Sequence, residues 1–500
     1  MIPFRKSFFR FGSVSLLALV AAGCATPNPT ALDRPGDVPA GFTAPLVDQN
    51  APIWPQTDWW VNFKADELPA LEETAQKENL DIAAANARIL EAEAQDGVSF
   101  AALLPNVNLS AGATRSGSHR GITNYTVGPN GTVIATPGPL LGATGNTYNA
   151  GFAGTYTLDL WGLNQDKLEA ARENLRAARY AEQVTGITAE STVANEYFTV
   201  LSLRERITIA RQQVDAANRI LAITQAKVTN GVSSNLDLAN QQATVAGVEA
   251  TLPTLIEQER EARYALAILL GRAPEGFDVK GQNLNGILAP LVQAGLPSEL
   301  LLRRPDVAQA EANLFADHAN VDAARAAFFP QIGLTGNGTY SAASTAALIN
   351  PASFAWSIGA SLLQSVFDGG RLKAQSDLAV AQQTELIADY RKAVFQAFSD
   401  VETALGTAQA DNDALTVLTE EVRASTEAER ISELQYREGT IDIVALTQAQ
   451  TTLFNAQNVL AQARLNRLEA SVALYRYLGG GWTQTASDAA YHYQLDWWPL

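Results

Sequence analysis

The clearest pattern along this chain is an alternation of period two. Along Tyr148–Leu160 the even positions are Tyr148, Ala150, Phe152, Gly154, Tyr156, Leu158 and Leu160, while Asn149, Gly151, Ala153, Thr155, Thr157 and Asp159 take the odd ones. This predicts a strand with one apolar and one wet face, long enough for a membrane β-strand of roughly 9–11 residues plus its ends. Phe354, Trp356, Ile358, Ala360 and Leu362 alternate in the same way with Ala355, Ser357, Gly359 and Ser361. Ile332, Leu334 and Tyr340 do so more weakly with Gly333, Thr335, Asn337 and Thr339. A soluble half-buried strand carries Lys, Glu or Arg on its wet face. Here Ala326–Phe367 contains no charged residue, and the wet face is Ser, Thr, Asn and Gly, as if lining water inside a barrel. Residues 115–147, rich in Gly, Thr, Pro and Asn, predict the long loop of a first hairpin, and 341–353 the shorter loop of a second.

Helix-forming composition fills the rest. Residues 164–229 contain no Pro and one Gly, and 371–437 no Pro and only Gly406. At 1.5 Å per residue each stretch predicts a helix of about 100 Å, far too long for an ordinary globular core. Shorter helical stretches cover 68–103, 234–270, 306–327 and 441–478, with a bend expected at Pro253. Their summed lengths suit two short helices stacked end to end beside each long one, in a coiled-coil-like assembly.

The order of elements repeats. Leu104-Pro105-Asn106-Val107 recurs as Phe329-Pro330-Gln331-Ile332 at an offset of 225. Trp161 matches Phe367 at 206, and Gly231 matches Gly439 and Gly271 matches Gly479 at 208. The sequence therefore divides into a signal peptide (1–23), a lipid anchor and extended tether (24–57), a first repeat (58–271), a connecting segment (272–305), a second repeat (306–479) and a C-terminal tail (480–500). Each repeat reads as helix, β-hairpin, long helix, helix. Four strands cannot close a barrel, since the smallest outer-membrane barrels have about eight. An open edge in lipid is forbidden. The fold class expected is a mixed α/β membrane protein: a trimeric 12-stranded β-barrel, four strands per chain, continued by a long periplasmic α-helical barrel, with an internal two-fold repeat.

Composition narrows the partners. The net charge is −17 with no basic cluster, a poor match for nucleic-acid phosphates. His119, His318 and His492 are scattered, and Cys24 is the only cysteine, so neither a disulfide nor a metal-ligand spacing exists. No cofactor, metal site or catalytic constellation is expected, because the strands lack charge and the acids of the helices, such as Glu169, Glu173 and Glu182, read as solvated faces. At the N-terminus Arg5, Lys6 and Arg10 precede the apolar run Leu16–Ala22, a secretory signal. Its end, Ala21-Ala22-Gly23-Cys24, resembles a bacterial lipobox and points to lipidation at Cys24.

Together with that lipobox and the repeat, Trp59-Trp60, Leu158-Asp159-Leu160-Trp161-Gly162, Arg303-Arg304-Pro305-Asp306 and Phe367-Asp368-Gly369-Gly370-Arg371 resemble the TolC-type outer-membrane factors, most closely the lipoprotein branch serving RND multidrug efflux systems. The resemblance implies a homotrimer in outer-membrane lipid of a Gram-negative bacterium, docked on a periplasmic adaptor and an RND-type inner-membrane transporter. It implies passive export of small molecules. The alternatives are an exit duct for type I protein secretion, a structural coiled-coil lipoprotein, or a lipid-anchored envelope hydrolase. The resemblance also places adaptor docking at the tip turns carrying Gly231, Tyr436 and Gly439. It places a pore constriction near Gln448, a position acidic in many relatives, with Asp442 and Asp237 as the nearest acids. For Asp442 the sequence leaves open a gating role or simple stabilisation of a helix N-terminus. Leu163 stands where the family often has Arg.

Overall fold

A computed structural model describes residues 41–42, 54–290, 295 and 297–482 of the chain. The signal segment, Cys24, most of the tether and the tail beyond residue 482 lie outside the described residues.

After a short 3₁₀ turn at Trp59–Phe63 come helices α1 (Leu68–Glu78) and α2 (Leu80–Ala101). Residues 68–103 carry Pro only at the second position, Pro69, and read as one helix, but the chain breaks at Asn79, which is extended at φ −65°, ψ 129°. The Asn79 side chain caps α2 by accepting from the amides of Asp81 and Ile82, while its Nδ2 donates to the Leu269 carbonyl at 2.7 Å. The break thus joins α2 to a helix 190 residues away.

The long helix α3 (Leu163–Thr229) is followed by α4 (Asn235–Glu249) and α5 (Thr251–Leu269). The bend expected at Pro253 falls earlier, at Ala250, leaving the proline in the first turn of α5, where its missing amide costs no helical hydrogen bond. The second half holds α6 (Pro305–Ala326), a long α7 (Arg371–Glu438) and α8 (Ile443–Tyr477). Helices α1, α2, α4 and α5 pack on α3, whereas α6 and α8 lie between α3 and α7. At 67 and 68 residues the two long helices each span about 100 Å.

The four strands form one antiparallel sheet in the order β1 (Asn106–Val127), β2 (Val133–Leu158), β3 (Gln331–Ala342), β4 (Phe354–Leu363). The expected loop at 115–147 is instead mostly strand: β1 and β2 stay paired to Val127↔Val133, and only the turn around Gly131 (φ 71°) is left. A two-stranded ribbon satisfies backbone groups that a 33-residue loop would leave to water. Register brings the apolar positions to one face, with Leu158 beside Ile332 and Ile332 beside Leu362. Thr155 meets Thr335, and Asn337 meets Ser357, on the other face.

The core lies where α3 is wrapped on all sides. Val200, Leu201, Ser202 and Leu203 are buried consecutively, which a one-sided helix cannot do. Trp59 stacks on Tyr475 at 5.3 Å, and Phe63 contacts Phe198 at 5.3 Å. These aromatic rings tie the start of the described chain to α3 and α8.

Candidate functional site

Three places join the parts of the fold: the helix–strand junction, the belt around α3, and the helix tips.

At the junction each long helix starts on a glycine with positive φ, Gly162 at 83° and Gly370 at 87°. A carboxylate caps each start: Asp159 accepts from the amides of Asn164 and Gln165, and Asp368 from those of Gly370 and Leu372. Gly162 and Gly370, 208 apart, are thus the N-caps of α3 and α7. Trp161 stacks on Phe329 and its indole Nε1 donates to the Pro330 carbonyl. Leu163, where the family often has Arg, begins α3 with an apolar side chain.

Around the belt, a buried and a half-buried guanidinium group act as clamps that composition alone did not reveal. Arg304 is 6% exposed and donates to Asp306, to Asp400 and to the carbonyls of Ala397 and Tyr477. Arg204 donates to Glu259, to Asp278 and to the carbonyls of Val279 and Gly281, while Glu67 accepts from the amides of Lys280 and Gly281. The connecting segment is thereby bound to α3 and α5. Of these, only Arg304 had a visible signal, the Arg-Arg-Pro-Asp motif. Glu72 is fully buried against α3, its carboxylate oxygens without a hydrogen-bond partner. Desolvation, with the charge of Glu190 second, holds its pKa well above the ordinary carboxylate value.

At the tips, Gly231 and Gly439 are both exposed and both take φ 76°. The same two hydrogen bonds close each turn: Val232 N to Lys227 O and Gly231 N to Val228 O, then Thr440 N to Gln435 O and Gly439 N to Tyr436 O. Only a residue at ease with positive φ ends a helix this way. Tyr436 is not presented on the surface. Its ring is 3% exposed in a cluster with Ile220, Ile443 and Leu446, its hydroxyl shares a 2.9 Å hydrogen bond with Thr224, and Lys227 Nζ sits 3.9 Å over the ring. An aromatic ring is worth more inside this contact than in water, so Tyr436 locks the ends of α3 and α7 together.

The three candidate gate residues are not assembled into a cluster. Asp442 is exposed and is the N-cap of α8, accepting from Ala445 N at 2.9 Å. Asp237 forms a capping box with Ser234 and accepts from the Ser233 hydroxyl at 2.7 Å. Hydrogen bonds from the Ser234 amide first, then from the two serine hydroxyls, lower its pKa. Gln448 is exposed one turn into α8.

A helical body near 100 Å long, set on a small antiparallel sheet whose strands β2, β3 and β4 carry no charged residue, defines a channel-forming outer-membrane protein. The chain belongs to the outer membrane efflux protein family, whose model matches residues 71–272 and 296–480. It is 36% identical over 427 residues to the pyoverdine export outer membrane protein OpmQ of Pseudomonas aeruginosa, covering 85% of this chain and 87% of the relative. It is 28% identical to the probable outer membrane lipoprotein SilC of Salmonella typhimurium, over 93% of this chain and 97% of that one. Among solved structures it is similar to the outer-membrane channel OprN, with a TM-score of 0.78 and 27% identity, covering 89% of this chain and 98% of that one. The protein is an outer-membrane channel of an efflux system.

Proposed function

We propose that three copies of this chain close a 12-stranded barrel, continue it as a helical barrel into the periplasm, and passively conduct small molecules outward. An RND-type inner-membrane transporter supplies them through a periplasmic adaptor, which docks at the turns of Gly231 and Gly439. Export in the relative OpmQ is named for pyoverdine; small-molecule export as a class, not that compound, is carried over here. Lipidation of Cys24 adds an anchor, a reading supported by the lipobox and the lipoprotein relative. The observation that carries the assembly is the pair of bare edges on the sheet. β1 and β4 each have one neighbour, and every residue of β4 is exposed. In hydrocarbon each unpaired backbone group costs several kcal/mol, so the edges must meet other copies.

The domain limits given above, and the two-fold repeat, belong to the same proposal. Their support is the spacing of elements. α2 and α6 have equal length at an offset of 225, and α3 and α7 start 208 apart. The break-and-stack junction also recurs. A Cβ on Gly271 would fall on the Glu78 carbonyl oxygen, and one on Gly479 on the Arg303 carbonyl oxygen, at offsets of 208 and 225.

Unboiled gels of outer-membrane fractions, with planar-bilayer recordings of the purified protein, test this reading. A heat-dissociable trimer with a steady conductance is expected. A stable, membrane-inserted monomer overturns it.

A further inference from the structure

From the register of the sheet we infer how the two bare edges pair: β4 lies antiparallel to β1 of the partner subunit, running from Trp356 beside the partner subunit's Gly117 to Val366 beside the partner subunit's Val107. This rests on the trimer proposed above and adds a residue-level interface to it.

The inference starts from constants of the sheet. In an antiparallel pair the two residue numbers add to a fixed value. That value is 261 for β1 with β2 up to the shift at Gly121, 490 for β2 with β3, and 694 for β3 with β4. The two hairpins therefore differ by 433, which is the offsets 225 and 208 taken together. The offsets themselves come from the helices, where α2 and α6 give 225 and the starts of α3 and α7 give 208. Helices and strands thus agree on one mapping, with β1 onto β3 at 225 and β2 onto β4 at 208.

The β2–β3 contact joins the end of the first hairpin to the start of the second. In a closed ring the only other contact of that kind joins the end of the second hairpin to the start of the first in the next copy. Applying the mapping to β2–β3, which runs from Tyr148↔Ala342 to Leu158↔Ile332, gives the β4 pairing a constant of 473.

Chemistry independent of the numbering supports this register. A slip of one residue would turn every side chain of the strand to the other face. A constant of 473 pairs even positions of β4 with odd positions of β1. It keeps Ile358, Leu362 and Val366 on the face shared by Val107 and Leu109, and sets Ser357 beside the partner subunit's Ser116 on the wet face. Val366 is 95% exposed and Val107 66% exposed in the single chain, and this register brings the two together. They are the counterparts of Leu158 and Ile332, which already pair within the chain. β4 is extended beyond Leu363 by the same step, giving Gln364–Val366 the backbone partners they lack.

Paired cysteines read the register directly. Residues opposite each other in an antiparallel pair have Cα atoms about 4.5–5.5 Å apart, within disulfide reach, whereas a two-residue slip takes them beyond about 7 Å. Ser357→Cys/Ser116→Cys in the full chain, oxidised in outer-membrane fractions, is expected to give boil-resistant, reductant-sensitive trimers. Their yield should be at least about tenfold above that of Ser357→Cys/Thr114→Cys. Leu363→Cys/Ser110→Cys is a second matched pair should the first not assemble. Unboiled trimers that crosslink only through the Thr114 pair, or through no pair, overturn the register and leave the trimer standing. Monomers alone on unboiled gels of the unmodified chain overturn the trimer and the register with it.

Discussion

Trp161, at the end of the first hairpin, stacks on Phe329, at the start of the second, with ring centroids 4.9 Å apart and planes 21° from parallel. Its Nε1 also donates to the neighbouring Pro330 carbonyl at 2.7 Å. One side chain thus fastens the two hairpins where sheet passes into helix. Trp161→Ala should lose a stack worth about 0.5–1.5 kcal/mol and a hydrogen bond of about the same size. The temperature at which trimers dissociate on unboiled gels should fall, with Trp161→Phe, which keeps the stack, in between. An unchanged temperature for Trp161→Ala would make the contact incidental.

Arg304 is the costliest side chain to remove from the belt. It is buried with two carboxylates, and its removal strands Asp400 at 16% side-chain exposure. Breaking such a pair costs about 3–5 kcal/mol. Lysine cannot reproduce a fork that serves Asp306, Asp400 and two carbonyls, so Arg304→Lys should rescue little. Denaturant midpoints of the detergent-solubilised protein check this; full rescue by lysine would refute the clamp.

The acids at the tips separate by a conservative exchange. Asn caps a helix about as well as Asp, so Asp442→Asn keeps the cap and removes only the charge, whereas Asp442→Ala loses about 0.5–2 kcal/mol of local stability. With Asp442 and Asp237 both spent on capping and Gln448 neutral, multivalent cations should block the pore weakly. Asp442→Asn should leave that block unchanged in planar bilayers. A block that is strong, and drops in Asp442→Asn, would put this carboxylate on the conduction path.

Glu72 predicts a pH dependence. Its pKa is raised in the folded chain, so the native state keeps a proton that the unfolded chain releases. Stability is therefore highest below the ordinary carboxylate value and is lost as pH rises through the folded one. Glu72→Gln should raise the melting temperature at neutral pH, change it little near pH 4, and flatten the profile between. Melting curves of both proteins across that range decide it, and an equal shift at every pH would remove the titration from the explanation.

Much of this protein was legible from local chemistry. Alternation along Tyr148–Leu160 and Phe354–Leu362 marked strands with one apolar face, because the side-chain period of a strand is two, although the first strand ends two residues earlier, at Leu158. Proline-free stretches marked α3 and α7 to within a residue, and Gly231 and Gly439 marked their ends because positive φ suits glycine. The family resemblance rested on short motifs in a fixed order. What the sequence left hidden depends on partners far away in the chain. The break at Asn79 is set by the Leu269 carbonyl, and nothing between residues 68 and 103 announces it. The 115–147 segment looks like loop by its Gly, Pro and Asn content, yet pairing across the hairpin makes most of it strand. Tyr436 looks like a tip residue by position, and only the approach of Ile220 and Thr224 from another helix buries it. Local composition fixes what each segment can form; which groups lose water, and which breaks and buried charges are tolerated, is decided only when distant segments meet.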